Sequence, residues 1–348
     1  MGALTRPVRP VTLVAGLGLA LMAVIVIALG SGAVRIAPAE VVSILLRHAG
    51  IGDGGSAGVT EDAVLWSIRL PRVLLAVGVG AGLAVAGAAL QGIFRNPLAD
   101  PQLIGISSGA AAGSAIGVLA LESVIGGIAG TLGAFAGGLA AGMAVYALAR
   151  HRGRTEVVTL VLAGIAVAAV GGALAGFLSV IADDARLGSP LFYSLGGLGV
   201  ATWRLVGLTL PFIALGVGLL PRYARRLDLI LLGEREAAHL GVDVERLRRR
   251  VLVLVTITVG ATVAAAGVIG FVGLLVPHGI RLIAGPGHRI LLPASALGGA
   301  VLVVAADTVA RTVALPLEVP VGLLTALAGG PLFLWLLRRT RSEHGGWG

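Results

Sequence analysis

Residues 69–101 read RLPRVLLAVGVGAGLAVAGAALQGIFRNPLADP, and an apolar run resumes at Leu103. The stretch decides the fold. Its middle is apolar and rich in Gly and Ala, long enough to cross a bilayer as a helix. Its end, Arg95-Asn96-Pro97-Leu98-Ala99-Asp100-Pro101, is polar and carries two prolines four residues apart. Backbone leaves a helix inside hydrocarbon only where its polar groups are satisfied. The pattern predicts a membrane hairpin with a structured, charged turn.

Composition widens that reading to the whole chain. Of 348 residues, 57% are hydrophobic and 12% charged, with a mean hydropathy of +1.00. A soluble domain carries about 25% charge, so the apolar excess needs lipid as its solvent. The 55 glycines fit close helix packing, because small residues let backbones approach one another in lipid. Aromatics make up 4% of the chain, too few for a nucleic-acid stacking platform. There is no cysteine, which excludes disulfides, thiolate metal sites and Cys nucleophiles. There is no lysine either; all 26 basic residues are Arg. A Walker A motif ends in Gly-Lys-Ser/Thr, so the chain is not a P-loop ATPase by itself.

Apolar windows recur at 11–30, 69–93, 103–120, 124–149, 156–181, 203–220, 251–267, 269–284, 290–312 and 321–337, which predicts ten membrane helices in an all-α bundle. The seventh and eighth are separated only by a candidate turn at Gly267 to Gly270. The first window is long for a signal peptide and lacks a clean cleavage site, so it is expected to stay as an anchor. With the N-terminus placed in the cytoplasm, the inner loops hold nineteen Arg and the outer loops seven. That asymmetry predicts cytoplasmic N- and C-termini and an even number of spans. The net charge of +9 is then mostly a topology signal rather than a nucleic-acid footprint.

Two loops stand out. Gly50 to Gly55 matches G-x-G-x-x-G, but no strand precedes it, and it reads as a flexible loop. Residues 221–250 are expected inside. There, Gly233 to Gly241 reads as a short helix, and Val244 to Arg250 as a second amphipathic piece. Either the two form a rigid cytoplasmic surface, or they are a solvated basic loop.

Few residues carry chemistry. The four-residue ladders Gly78/Gly82 and Gly105/Gly109/Gly113/Gly117 read first as packing faces. Asp307 and Arg311, at i and i+4, are a candidate structural ion pair. An acid this deep is also a functional candidate, but one acid is too little for a proton relay. His278 beside Pro277 reads as a local hydrogen-bonding residue rather than a ligand. Arg69, Arg72 and Arg311 form a basic set at the outer face, suited either to an acidic partner or to lipid phosphates. No paired carboxylate, Ser-His-Asp or metal-ligand spacing is visible, so neither a catalytic residue nor a metal site is expected.

Taken together, these residues resemble the permease subunits of FecCD/cobalamin-type ABC importers. The carrying stretches are residues 69–113, 232–250, 267–282, 287–311 and 317–337, with R-N-P-L-A-D-P and G-F-x-G-L-x-x-P-H the most specific blocks. The resemblance implies a single transmembrane permease domain over residues 1–348, with coupling helices at about 228–250. It implies the ten-helix type II importer fold and a homodimer in the bacterial inner (plasma) membrane. Two ATP-binding cassette ATPase subunits and a periplasmic binding protein would be the partners. It assigns binding-protein docking to Arg69, Arg72 and Arg311. It assigns ATPase coupling to Gly233, Glu234, Ala237, Leu240 and Gly241, and the cytoplasmic gate to Asn96 and Leu98. No resident cofactor is implied, since ATP would sit in the partner and the iron compound is cargo.

The wording of Ala182 to Leu187, Phe192 to Gly196, Ala201 to Trp203 and the 233–250 segment resembles the haem-transporting branch. Gly188-Ser189-Pro190-Leu191 departs from that branch's form. Haem is therefore the expected cargo, with ferric siderophores or cobalamin as alternatives. The rival from another class is an ion-coupled secondary transporter, which would need buried acids in several helices.

Overall fold

A computed structural model describes residues 10–51, 58–151, 154–181 and 195–343. The segment Ala182 to Ser194, the residues from Gly52 to Gly55, and Arg6 and Arg9 of the topology reading lie outside the described residues.

All ten predicted windows fall on helices. They are α1 (Pro10–Gly30), α3 (Val59–Phe94), α4 (Ile106–Ile125), α5 (Ala129–Leu148), α6 (Val157–Ile181), α7 (Trp203–Leu219), α10 (Val244–Ala266), α11 (Val272–Ala284), α12 (His288–Ala310) and α13 (Val321–Glu343). Short helices α2 (Pro38–His48), α8 (Ala224–Leu231) and α9 (Glu234–His239) lie in the connections. So does an antiparallel hairpin of two-residue strands, β1 (Arg150–His151) and β2 (Arg154–Thr155).

The centre of the bundle is α3, buried over 83% of its most apolar window, against 6% for α1. It packs against α12, α10, α11 and α7, while α4 packs on α5 and α6. The close approaches fall on glycine. A Cβ on Gly80 would land on the carbonyl of Gly299, and one on Gly299 on that of Gly80. A Cβ on Gly87 would land on the carbonyl of Gly273, and Gly109, Gly113 and Gly117 face Gly137, Gly133 and Ala129. The ladders are packing faces, as expected: Gly109, Gly113 and Gly117 set backbone against backbone where a hydrophobic driving force is absent, whereas Gly78 and Gly82 leave room for the side chains of Leu210, Ile213, Thr258 and Thr262. Gly105 is the exception. It sits at the start of α4 with φ of +73° and packs against α6.

Two boundaries differ from expectation. The second membrane helix begins at Val59, ten residues before Arg69, and passes through Pro71 without stopping. Proline has no N–H and its ring collides with the carbonyl four residues back. The helix absorbs this in a π-turn over Val64–Arg69, with the Leu70 N–H donating to the Leu65 carbonyl. The segment Val244 to Arg250 is not a separate piece. Asp243 caps it, its Oδ1 accepting from the Arg246 N–H at 2.9 Å, and the helix then runs unbroken to Ala266.

The other breaks hold as read. Helix α10 ends at Gly267, with φ of +65°, and α11 starts at Val272. Helix α3 ends in a Schellman motif, in which the Asn96 N–H donates to the Gln91 carbonyl and the Arg95 N–H to that of Gly92. The left-handed position, φ +50°, belongs to Arg95 rather than to a glycine.

Candidate functional site

The site residues gather at the two ends of α3. At the Arg69 end, the π-turn and the end of α12 bring three arginines together. Arg69, Arg72 and Arg311 are only 4, 6 and 7% exposed. Arg69 donates to the carbonyls of Leu29, at 2.7 Å, and Val34. Arg311 donates to those of Ser31, at 2.8 Å, and Ala28. Two guanidinium groups thus cap the last carbonyls of α1 and the turn after it, which satisfies helix-end acceptors and the dipole at once.

Arg72 points elsewhere. Its Nε lies 3.0 Å from both oxygens of Asp307, its Nη2 2.9 Å from Oδ1, and its Nη1 2.8 Å from Glu318. The expected Asp307–Arg311 pair is therefore secondary. Its shortest N–O separation is 3.8 Å, and Nε of Arg311 has no hydrogen-bond partner among the described residues. The i,i+4 spacing puts both on one face, but Arg311 sits just past the helix end and swings to the α1 carbonyls. Asp307 is left to Arg72.

At the Arg95 end, the hinge is exposed from Arg95 to Leu98. Oδ1 of Asn96 accepts from the Leu98 N–H at 2.9 Å, which holds the turn, and Leu98 is 39% exposed. Oδ1 of Asp100 accepts from the Gln102 N–H at 2.8 Å. Burial pushes the Asp100 carboxyl up to about 6, opposed by that bond to Gln102.

Behind the hinge lies a polar node that sequence reasoning missed. Gln91, buried in α3, donates to the carbonyls of Ala99, Gly273 and Leu274 at 3.3–3.4 Å. Its Oε1 accepts from Arg281 at 2.9 Å. Gln102 donates to the Ile269 carbonyl at 2.8 Å, joining the hinge to the break between α10 and α11. The signal existed: Gln91 is the only side chain between Val73 and Phe94 with a hydrogen-bonding group.

Beside the node, His288 heads α12. Its Nδ1 and backbone N–H both meet Oδ1 of Asp228 at 2.8 Å. His278 lies half-buried on α11, one residue beyond Pro277.

Helix α9 projects at the same end. Gly233, φ +134°, opens it and Gly241, φ +83°, closes it. Ala237 is buried, whereas Leu240 and Leu232 are about 60% exposed. Glu234 meets Arg248 at 2.5 Å. The buried Arg248 also donates to the Thr155 carbonyl, at 3.1 Å, and to Glu245, at 3.3 Å. Glu245 in turn accepts from the Thr155 hydroxyl and N–H at 2.6 and 3.1 Å. One guanidinium thereby fastens α9, α10 and the hairpin before α6. Neither Arg248 nor Glu245 stood out in the sequence, being two charges in a basic run.

A model of the FecCD transport family matches residues 20–339. The hemin transport system permease protein HmuU of Yersinia pestis is 48% identical over 299 residues, 82% of this chain and 87% of that one. The cobalamin import system permease protein BtuC of Halobacterium salinarum is 47% identical over 284 residues, 81% and 75% of the two chains. A solved structure described as an inward-facing ABC transporter of metal-chelate type superposes with a TM-score of 0.80. It is 32% identical and is covered over 94% of this chain and 99% of that one.

Proposed function

The chain belongs to the FecCD transport family, and on that premise we propose that it is the permease subunit of an ABC importer that carries haem inward across the bacterial inner membrane. The observation that carries the reading is α9, a short helix with exposed Leu232 and Leu240 held in place by the Glu234–Arg248 pair. A non-catalytic membrane subunit needs such a rigid foot to receive force from an ATPase. Gly233, Glu234, Ala237, Leu240 and Gly241 form the coupling element of the one domain. Asn96 and Leu98 form the gate at the cytoplasmic mouth, with both termini on that side.

The Arg69 end is then the outer mouth, where a periplasmic binding protein docks on a homodimer of permeases. Each of the three arginines is already engaged within the chain, and an acidic docking group reaches Arg72 by displacing Glu318, whose side chain is 50% exposed. An ion-coupled secondary transporter fits less well, because the buried acid Asp307 is paired with Arg72 rather than free to carry a proton.

Haem rests on the 48% identity to a hemin permease. Cobalamin is the second reading, favoured by the 47% identity to a cobalamin permease, and a ferric siderophore the third. Proteoliposomes containing the chain with its ATPase and binding protein test all three. ATP-dependent haem uptake, lost on Glu234→Arg, is expected. Uptake without an ATPase overturns the ABC reading, and cobalamin uptake in place of haem overturns the cargo.

A further inference from the structure

A cavity of about 260 Å³ opens at the Arg95 end, where α5, the β1–β2 hairpin and the first turns of α10 meet. Tyr146, Arg150, Asp243, Glu245, Arg246 and Arg249 line it. Both carboxylates are engaged. Asp243 accepts from the backbone N–H and from Nε of Arg246, at 2.9 and 3.2 Å. Glu245 accepts from Thr155 and Arg248 through both oxygens.

The donors are another matter. Arg150 and Arg249 have no ion-pair partner among the described residues, and Arg246 keeps its terminal nitrogens. The Tyr146 hydroxyl is enclosed and has no hydrogen-bond partner among the described residues. A buried hydroxyl in that state is costly unless something else satisfies it.

We propose that this cavity binds a phosphate group, held by Arg150, Arg246 and Arg249 with the Tyr146 hydroxyl as a fourth donor. Each guanidinium presents a planar fork suited to two oxygens. A carboxylate has only two oxygens and saturates one fork, whereas a phosphate offers more and can meet several forks with a hydroxyl besides. The place fits too. Basic pockets between helix ends at a membrane surface hold anionic lipid head groups. The phosphate comes either from such a lipid or from a soluble phosphate monoester, and both offer the same chemistry to the four donors.

Binding isotherms on the delipidated full-length protein in detergent test this. The probes are phosphatidylglycerol, phosphatidylcholine with the same acyl chains, and sn-glycerol 3-phosphate. Phosphatidylglycerol is expected to bind more tightly than phosphatidylcholine, whose cationic head group offsets its phosphate. The double variant Arg150→Gln, Arg249→Gln is expected to weaken it roughly tenfold or more, since it removes two of the charge-assisted donor forks. Tyr146→Phe breaks no hydrogen bond among the described residues, so it keeps the fold and isolates the hydroxyl. It is expected to weaken binding several-fold.

Competition by sn-glycerol 3-phosphate, sensitive to the same variants, identifies a soluble phosphate as a source. Binding confined to phosphatidylglycerol identifies the lipid. Equal affinity for the two lipids, no binding of either phosphate probe, or wild-type affinity in the double variant and in Tyr146→Phe overturns the proposal.

Discussion

Arg72 and Asp307, 235 residues apart in sequence, form a two-pronged ion pair in which Nε sits 3.0 Å from both carboxylate oxygens. The pair ties the start of the central helix to the end of α12, on the side of the molecule where Arg69 and Arg311 secure α1. Both partners are almost wholly buried, and removing one strands the other.

Asp307→Asn or Arg72→Gln alone is therefore expected to destabilise the protein by about 3–5 kcal/mol. The apolar double variant Arg72→Met, Asp307→Leu is expected to recover most of that. Glu318→Gln, at a half-exposed partner, should cost no more than about 1 kcal/mol. Thermal unfolding in detergent ranks the four. Equal losses for Asp307→Asn and Glu318→Gln would contradict the geometry.

Asp100 gives a pH signature. Its folded carboxyl titrates near 6, above the 3.8 of a free aspartate. The native state thus binds a proton more readily than the unfolded chain does, and stability falls as pH rises. The contribution is fully present below about pH 4 and is lost as pH passes through about 6. Asp100→Asn can still accept from the Gln102 N–H and carries no charge. The melting temperature of wild type relative to Asp100→Asn, followed from pH 4 to 7.5, is expected to decline through that window. A constant difference would remove Asp100 as the cause.

The glycine contacts predict steric penalties at named places. Gly80→Ala and Gly299→Ala each drive a methyl into the opposing backbone and should cost about 1–3 kcal/mol, as overpacking does. Gly207→Ala faces open space on α7 and is the control, expected to be neutral or slightly stabilising. Unfolding midpoints of the three variants check this.

Arg95 occupies a left-handed position that costs an L-residue roughly 1–2 kcal/mol. Arg95→Gly keeps both Schellman hydrogen bonds and should stabilise the hinge by up to about 1 kcal/mol. A lower melting temperature for the glycine variant would show that the arginine side chain contributes more than its backbone strain costs.

The helices were legible because hydrophobic windows are a local property of the chain. The hinge at Arg95 to Pro101 was legible through its prolines. What escaped was set by partners far along the chain. The i,i+4 spacing pairs Asp307 with Arg311, and only the tertiary fold brings Arg72 to it. The entrance at Pro71 looked like a helix start because proline favours the first turn, but a π-turn let the helix run through. Arg248 was one arginine among several until Thr155, Glu234 and Glu245 converged on it. The proposed docking and coupling residues came from family resemblance rather than from pattern.

Gln102 and Ile269 link two turns at the Arg95 end of the bundle. Two breaks that sequence places 167 residues apart share a hydrogen bond, and Gln91 spans the same gap through Ala99, Gly273 and Leu274. In mechanical terms the pair has lost a degree of freedom. The turn after α3 cannot swing while the strap before α11 stays still, unless three or four hydrogen bonds part together. A displacement at either break would have to part those bonds together, so the two turns at the Arg95 end are coupled as one unit.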